Sequence, residues 1–188
     1  MEGHAMELTP ADEKLLKALA IAIVDRPRGT FKDLAQAAGV SKATLNRFCG
    51  TRDNLIEMLM NYASEVMERA IAAADLVKSP ALDALHKLIE QHLTHRELLV
   101  FLIVQWRPDS LDGEAGNRWL PYSDALDAFF LRGQTEGVFR IDIAAPVLSE
   151  IFASILFGLV DAERRGRVAR SGMVALIEMF FLRGASKG

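Results

Sequence analysis

The sequence predicts an all-α protein: an N-terminal three-helix unit containing a helix-turn-helix, then a C-terminal helical bundle, about nine helices in all. Three observations predict it. Apolar residues recur at helical spacing along nearly the whole chain, and strand-like alternation is confined to a brief VFRID at 138–142. Helix-start signals recur, at Thr9-Pro10, Thr30, Ser41, Thr51 and Ser79-Pro80. The first three helical segments are short and closely spaced, whereas the later ones are long and more hydrophobic.

Taken in order, helix one is expected over 10–25, with Thr9 as N-cap, Pro10 at the first helical position and Asp12 closing a capping box. Pro27 and Gly29 in DRPRG stop it. Thr30 with Asp33 repeats the box for helix two, 30–38, whose Phe31, Leu34, Ala35 and Ala38 share a face. Gly39 supplies the left-handed turn that ends it, and Ser41 caps helix three, 41–48. Helix four, 52–77, is long enough to join the small unit to the bundle, and the domains are drawn as 1–53 and 54–188. Helices five (80–95) and six (96–106) precede the glycine-bearing loop RPDSLDGEAGNRW. Helices seven (120–136), eight (143–165) and nine (170–184) complete the bundle.

The net charge of −3 is unevenly spread: residues 26–52 carry +5, with Asp33 as their single acid, and residues 53–188 carry −5. A basic island on an acidic chain points to a local polyanion contact. The single cysteine, Cys49, excludes an internal disulfide and suits a reducing, cytoplasmic setting. Its apolar neighbours fit a small buried hydrophobe rather than a sensor. No secretory leader pattern is read, MEGHA is given no function, and the apolar runs 98–104 and 151–160 fall short of the roughly 20 residues of a membrane span.

Helix two, the turn Ala38-Gly39-Val40 and helix three have helix-turn-helix spacing. Small Ala35 permits close crossing, and Val40 with Leu45 points inward. Ser41, Lys42, Ala43, Thr44, Asn46 and Arg47 are left on the outer face, where such groups reach phosphates and base edges in a major groove.

TFKDLAQAAGVSKATLNRFCGTRDNLIEMLM, residues 30–60, resembles the DNA-binding domain of TetR-family transcriptional regulators, through Thr30, Leu34-Ala35, Ala38-Gly39-Val40-Ser41, Thr44-Leu45, Phe48, Thr51-Arg52-Asp53 and Leu55. EGVFRIDIAAPVLSEIFASILFGL at 136–159 is also family-like. The resemblance implies a homodimer that sets two recognition helices in successive major grooves of a near-palindromic double-stranded DNA operator, and a small-molecule effector in the C-terminal bundle. It assigns backbone contacts to Thr44, Phe48 and Arg52. With the outer-face residues, the DNA-binding candidates are Thr30, Ser41, Lys42, Ala43, Thr44, Asn46, Arg47, Phe48 and Arg52. The chain departs from the family at Asn46, where tyrosine is usual, at Cys49, usually phenylalanine, and at Ala43, usually glycine. These changes bear on operator choice.

The effector is expected to be small and hydrophobic or aromatic, held by His92, Phe101, Gln105, Trp106, Arg107, Trp119, Tyr122 and Phe129. Apolar stripes on helices eight and nine suggest a dimer surface from Phe152, Ile155, Gly158, Leu159, Ile177 and Phe181, with Ser154, Gly158 and Ala162 spaced for close approach. No phosphate loop, nucleophile elbow or His-Glu-x-x-His pattern is present, so no enzyme, cofactor or metal is expected. Asp83, His86 and Glu90, or His92 and His95, read as ordinary helix-face residues rather than metal ligands. The competing class is a helical interaction module with weakened DNA binding, which Asn46 and Cys49 would favour. Ligand-released repression is the leading expectation.

Overall fold

Side-chain caps set where the N-terminal helices begin. Thr9 Oγ1 accepts from the Asp12 amide while the Asp12 carboxylate accepts from the Thr9 amide, and Thr30 with Asp33 repeats the arrangement. Ser41 Oγ accepts from the Thr44 amide at 3.0 Å, and Thr51 Oγ1 accepts from the Asn54 amide at 3.1 Å. The computed structural model describes residues 8–105 and 118–186. Among these residues there are nine helices: α1 (Pro10–Asp25), α2 (Phe31–Ala37), α3 (Lys42–Cys49), α4 (Arg52–Ala74), α5 (Ala81–Leu93), α6 (Arg96–Gln105), α7 (Leu120–Thr135), α8 (Ala145–Arg164) and α9 (Met173–Ala185).

Two expected starts differ. Ser79 does not cap α5: its hydroxyl turns back to the Asp75 carboxylate at 3.3 Å, and its carbonyl accepts from Arg132 at 2.9 Å. Helix α4 ends at Ala74 rather than near 77, because Asp75 adopts a positive φ of 49°. VFRID is not a strand either. It provides one antiparallel bridge, Phe139 with Ser186, where the chain crosses the end of α9.

The chain divides into two compact units, Met1–Met60 and Asn61–Gly188. The division falls inside α4, later than residue 53, and the first unit keeps the fully buried Leu55 and Leu59 of its opening turns. In the first unit α1 packs on α2 and α2 on α3. Leu16, Leu19, Ile23, Leu34 and Leu45 are buried there, and Cys49 is buried with its thiol donating to the Leu45 carbonyl.

In the second unit α7 packs along α8, α8 also meets α6 and α9, and α9 lies on α5. Phe129 and Phe130 of α7, Phe139 of the following turn, Phe152 of α8 and Phe181 of α9 form one buried aromatic cluster. Phe130 is central, with ring centroids 5.0 Å from Phe129 and 5.3 Å from both Phe139 and Phe181. Burying each such side chain contributes about 1.5–3 kcal/mol. Phe139 reaches the cluster only because residue 133 is glycine: a Cβ there would lie 2.3 Å from the Phe139 ring.

The apolar runs fall short of a membrane span, but α8 as a helix does not: it has 20 residues, and an 18-residue stretch of it has a mean hydropathy of 1.6, long and apolar enough to cross a bilayer. In the fold that helix is two-sided. Leu148, Phe152, Leu156 and Val160 are buried in the bundle, while Glu150, Ser154 and Gly158 are exposed.

Gly133→Ala is expected to lower unfolding stability by about 1–3 kcal/mol, because the methyl group collides with a ring that has nowhere to move. Urea denaturation followed by circular dichroism measures it; an unchanged midpoint would mean that Phe139 repacks freely.

Candidate nucleic-acid interface and effector cavity

The turn between α2 and α3 is closed by its backbone. Gly39 sits at φ 72°, and the Val40 amide donates to the Ala35 carbonyl at 2.9 Å. Leu45 faces inward, fully buried. Lys42, Ala43, Asn46 and Arg47 are exposed, and Thr44 and Phe48 are half-buried. The first turn of α3 contains no acid, unlike those of α1, α2 and α4, so its amide dipoles add to the Lys42 charge.

The one acid in the basic stretch is occupied. Asp33 accepts from the Thr30 amide and hydroxyl, and these hydrogen bonds hold its carboxyl below the usual carboxylate range. Thr30 and Ser41 therefore use their hydroxyls as caps, and Ser41 Oγ also lies 2.9 Å from Thr44 Oγ1. Arg52 has a different task. Its guanidinium donates to the Gly29 and Pro27 carbonyls, each at 2.9 Å, and closes the loop between α1 and α2. Two of its five N–H donors are thereby engaged within the unit.

The second unit contains a cavity of about 550 Å³ that is partly open to solvent. Its walls are two helical stripes with regular spacing: Trp119, Tyr122, Ser123, Leu126 and Asp127 at α7, and Pro146, Ser149, Glu150, Ala153, Ser154 and Phe157 on α8. Met67 of α4 and Leu102 and Ile103 of α6 complete it. The Trp119 and Tyr122 rings stand nearly perpendicular, at 89°. Ser149 donates to Asp127 Oδ1 at 2.6 Å and ties the two stripes together.

Of the expected effector contacts, Trp119 and Tyr122 line this cavity. His92 does not; it lies behind the wall, fully buried. His92 Nδ1 is 2.7 Å from the Leu88 carbonyl and Nε2 is 2.7 Å from Tyr122 Oη. A carbonyl only accepts, so Nδ1 carries the proton and the Tyr122 hydroxyl donates to Nε2. Burial holds the His92 pKa down to about 4 and pushes the Tyr122 phenol up. Phe101 is core, and Gln105 is half-buried outside the lining. Phe129 borders a separate cavity of about 300 Å³, beside Leu76 and Arg132. Trp106 and Arg107 lie outside the described residues. The residues missed were the small and polar ones, chiefly Ser149, Glu150, Ser154 and Asp127. The i, i+3, i+4, i+7 spacing of the full lining stripes, 119, 122, 123, 126 on one helix and 146, 149, 150, 153 on the other, was the available signal.

The expected dimer residues separate into two sets. Phe152, Ile177 and Phe181 are buried within the chain's own bundle, because large aromatic and β-branched side chains fill its centre. Gly158 is exposed, and Ile155 and Leu159 are half-buried. Beside them Val147, Ile151, Met179 and Phe180 are exposed, Phe180 by 56%. Among the described residues no group of three His, Cys, Asp or Glu side chains is placed to hold a metal ion. His86 instead pairs with Glu178 at 2.8 Å and Glu90 at 3.4 Å.

A capped, basic helix-turn-helix continued by one long helix into an all-α bundle is the build of a transcriptional regulator. The chain is 61% identical over 183 residues to the HTH-type transcriptional regulator NfxB of Pseudomonas aeruginosa, covering 96% of this chain and 97% of that protein. It is 28% identical over 102 residues to the HTH-type transcriptional repressor LfrR of Mycolicibacterium smegmatis, 54% of this chain and 53% of the relative. The TetR-like regulator LfrR from Mycobacterium smegmatis, solved in complex with proflavine, has a similar structure, with TM-score 0.73 and 23% identity over 94% of this chain and 96% of that one. The ketosteroid transcriptional regulator KstR2 of Mycobacterium tuberculosis superposes with TM-score 0.75 at 15% identity, over 97% of this chain and 98% of that one. No family model matches the chain. The chain belongs to the TetR family of DNA-binding transcriptional regulators.

Arg52→Ala should cost about 1–3 kcal/mol of stability by freeing two loop carbonyls, read by urea denaturation. A stability equal to wild type would show that the loop closes without it. The buried His92 gives a pH signature. Its pKa is about 4 folded against 6.5 ordinarily, so between these values the unfolded chain binds the extra proton. Stability from this group is complete above 6.5 and lost as pH falls toward about 4, by about 3 kcal/mol in all. Denaturation across that range should show the loss in wild type and a flatter profile in His92→Gln.

Proposed function

We propose that the chain is a ligand-responsive repressor that binds a near-palindromic operator as a homodimer and leaves it when a small aromatic effector fills the α7–α8 cavity. The acid-free outer face of α3 carries this reading. Lys42 and Arg47 are exposed there, and no carboxylate on the helix opposes them. Thr30, Ser41, Ala43, Thr44 and Phe48 frame the approach to phosphate, and Asn46 is available to a base edge. Val147, Ile151, Ile155, Gly158, Leu159 and Phe180 offer an apolar face to a second copy, as paired half-sites require.

The cavity supports the effector reading through its size and aromatic walls. Proflavine, bound by the LfrR relative, and the ketosteroids named for KstR2 are both polycyclic. Met67 lines the cavity from α4, whose first turns belong to the DNA-binding unit, so one helix is shared by the two tasks. An effector then acts only through its different affinity for the DNA-competent and DNA-incompetent states.

Selection of bound fragments from a random DNA pool should enrich an inverted repeat whose half-site centres lie about one helical turn, 34–36 Å, apart or a multiple of it. Lys42→Ala and Arg47→Ala should each weaken binding, and loss of a phosphate contact should flatten the salt dependence by about one unit of slope. No enrichment at low salt would transfer support to the interaction-module reading.

A further inference from the structure

Asn46 stands apart from the other polar side chains of α3 and its cap. The Ser41 and Thr44 hydroxyls lie 2.9 Å apart in one hydrogen bond, and Ser41 Oγ also accepts from the Thr44 amide. Lys42 and Arg47 carry donors only. The Asn46 side chain is exposed and makes no hydrogen bond among the described residues. Its main-chain carbonyl accepts from the Gly50 amide at 2.8 Å, which holds the residue in the last turn of the helix. The side chain therefore presents a donor, Nδ2, beside an acceptor, Oδ1, both uncommitted.

Few partners use both atoms. A phosphate oxygen only accepts, so it would engage Nδ2 and leave Oδ1 facing an anion. On the major-groove edges guanine presents two acceptors, cytosine one donor, and thymine one acceptor beside a methyl group. Adenine alone sets an acceptor, N7, next to a donor, the N6 amino group. Reach is the remaining requirement, because the asparagine side chain is short. Leu45 and Cys49 mark the buried face of α3, and Ala43, Asn46 and Arg47, at i, i+3 and i+4, share the exposed one. With only a methyl group at Ala43, the backbone of that face can lie close to the base edges.

We propose that Asn46 is a specificity-determining residue: Nδ2 donates to N7 of one adenine in each half-site, and Oδ1 accepts from the N6 amino group of the same base. This rests on the reading of the chain as an operator-binding homodimer.

The test repeats the selection from a random DNA pool with wild type and Asn46→Ala. The wild-type operator is then resynthesised with 7-deazaadenine, which replaces N7 by a C–H, at the adenine whose preference the variant loses. Wild type should show a fixed adenine in each half-site that becomes freely variable in Asn46→Ala, with the other positions unchanged. 7-Deazaadenine there should weaken wild type about ten-fold, within the range of one bidentate base contact, and leave Asn46→Ala unmoved. The base analogue changes the DNA alone, so its effect on wild type does not depend on how the variant folds. The slope of affinity against salt should be the same for both proteins, because a base contact releases no counterion. Identical base preferences in the two proteins, equal weakening of both by 7-deazaadenine, or a slope that falls by about one in Asn46→Ala, as for a lost phosphate contact, overturns the assignment while the operator reading stands. If wild type enriches no sequence, both fail together.

Discussion

The approach of Phe139 to Gly133 is the constraint on which the second unit depends. The missing side chain at residue 133 lets the turn after α7 fold its ring into the cluster of Phe129, Phe130, Phe152 and Phe181. Those rings belong to α7, α8 and α9, so the cluster fixes how α7 lies along α8. The cavity is lined by other positions of the same two helices. His92 touches both regions: its ring packs edge-on to Phe152, and its Nε2 holds Tyr122. A close-packed core and a cavity wall therefore share one neutral imidazole, and a shift in either is felt by the other.

The DNA-binding unit is organised by a different economy. Its fixed polar groups are consumed in closing turns: Asp33 in the Thr30 box, Ser41 at the head of α3, Arg52 across the α1–α2 loop. What remains unspent is positive or neutral, at Lys42, Asn46 and Arg47. The basic island visible in composition becomes a directed surface because its one carboxylate and two of its arginines, Arg26 and Arg52, are engaged in local structure.

This explains what was legible in the sequence. Caps, turn glycines and helical spacing are local chemistry, so the three N-terminal helices and their outer face could be read directly, to within a residue or two. The loop-closing role of Arg52 was not legible because the acceptors of its guanidinium lie 23 and 25 residues away, at Gly29 and Pro27. Ser79 was misread because Arg132, 53 residues on, competes for the turn it occupies. The C-terminal apolar stripes were seen, but hydrophobicity alone does not separate a face that meets a second chain from one that meets the bundle; Phe152, Ile177 and Phe181 went to the bundle. The cavity was least legible. Serines and carboxylates on helices normally face solvent, and only the packing of α7 on α8 turns Asp127, Ser149, Glu150 and Ser154 toward a common space.

The same packing sets the scale of any response. Changing the occupancy of an operator ten-fold requires about 1.4 kcal/mol of differential binding between two states. A single charge-assisted hydrogen bond supplies about 1.5–3 kcal/mol, so one such contact made in only one state is sufficient. Asp127 of α7 lies on the cavity wall. It is joined to α8 through Ser149, so a change in the spacing of α7 and α8 alters its surroundings at once. Met67 reaches the same cavity from α4. In the proposed repressor, the response to an effector would depend on the separation of two helices that the phenylalanine cluster holds in register.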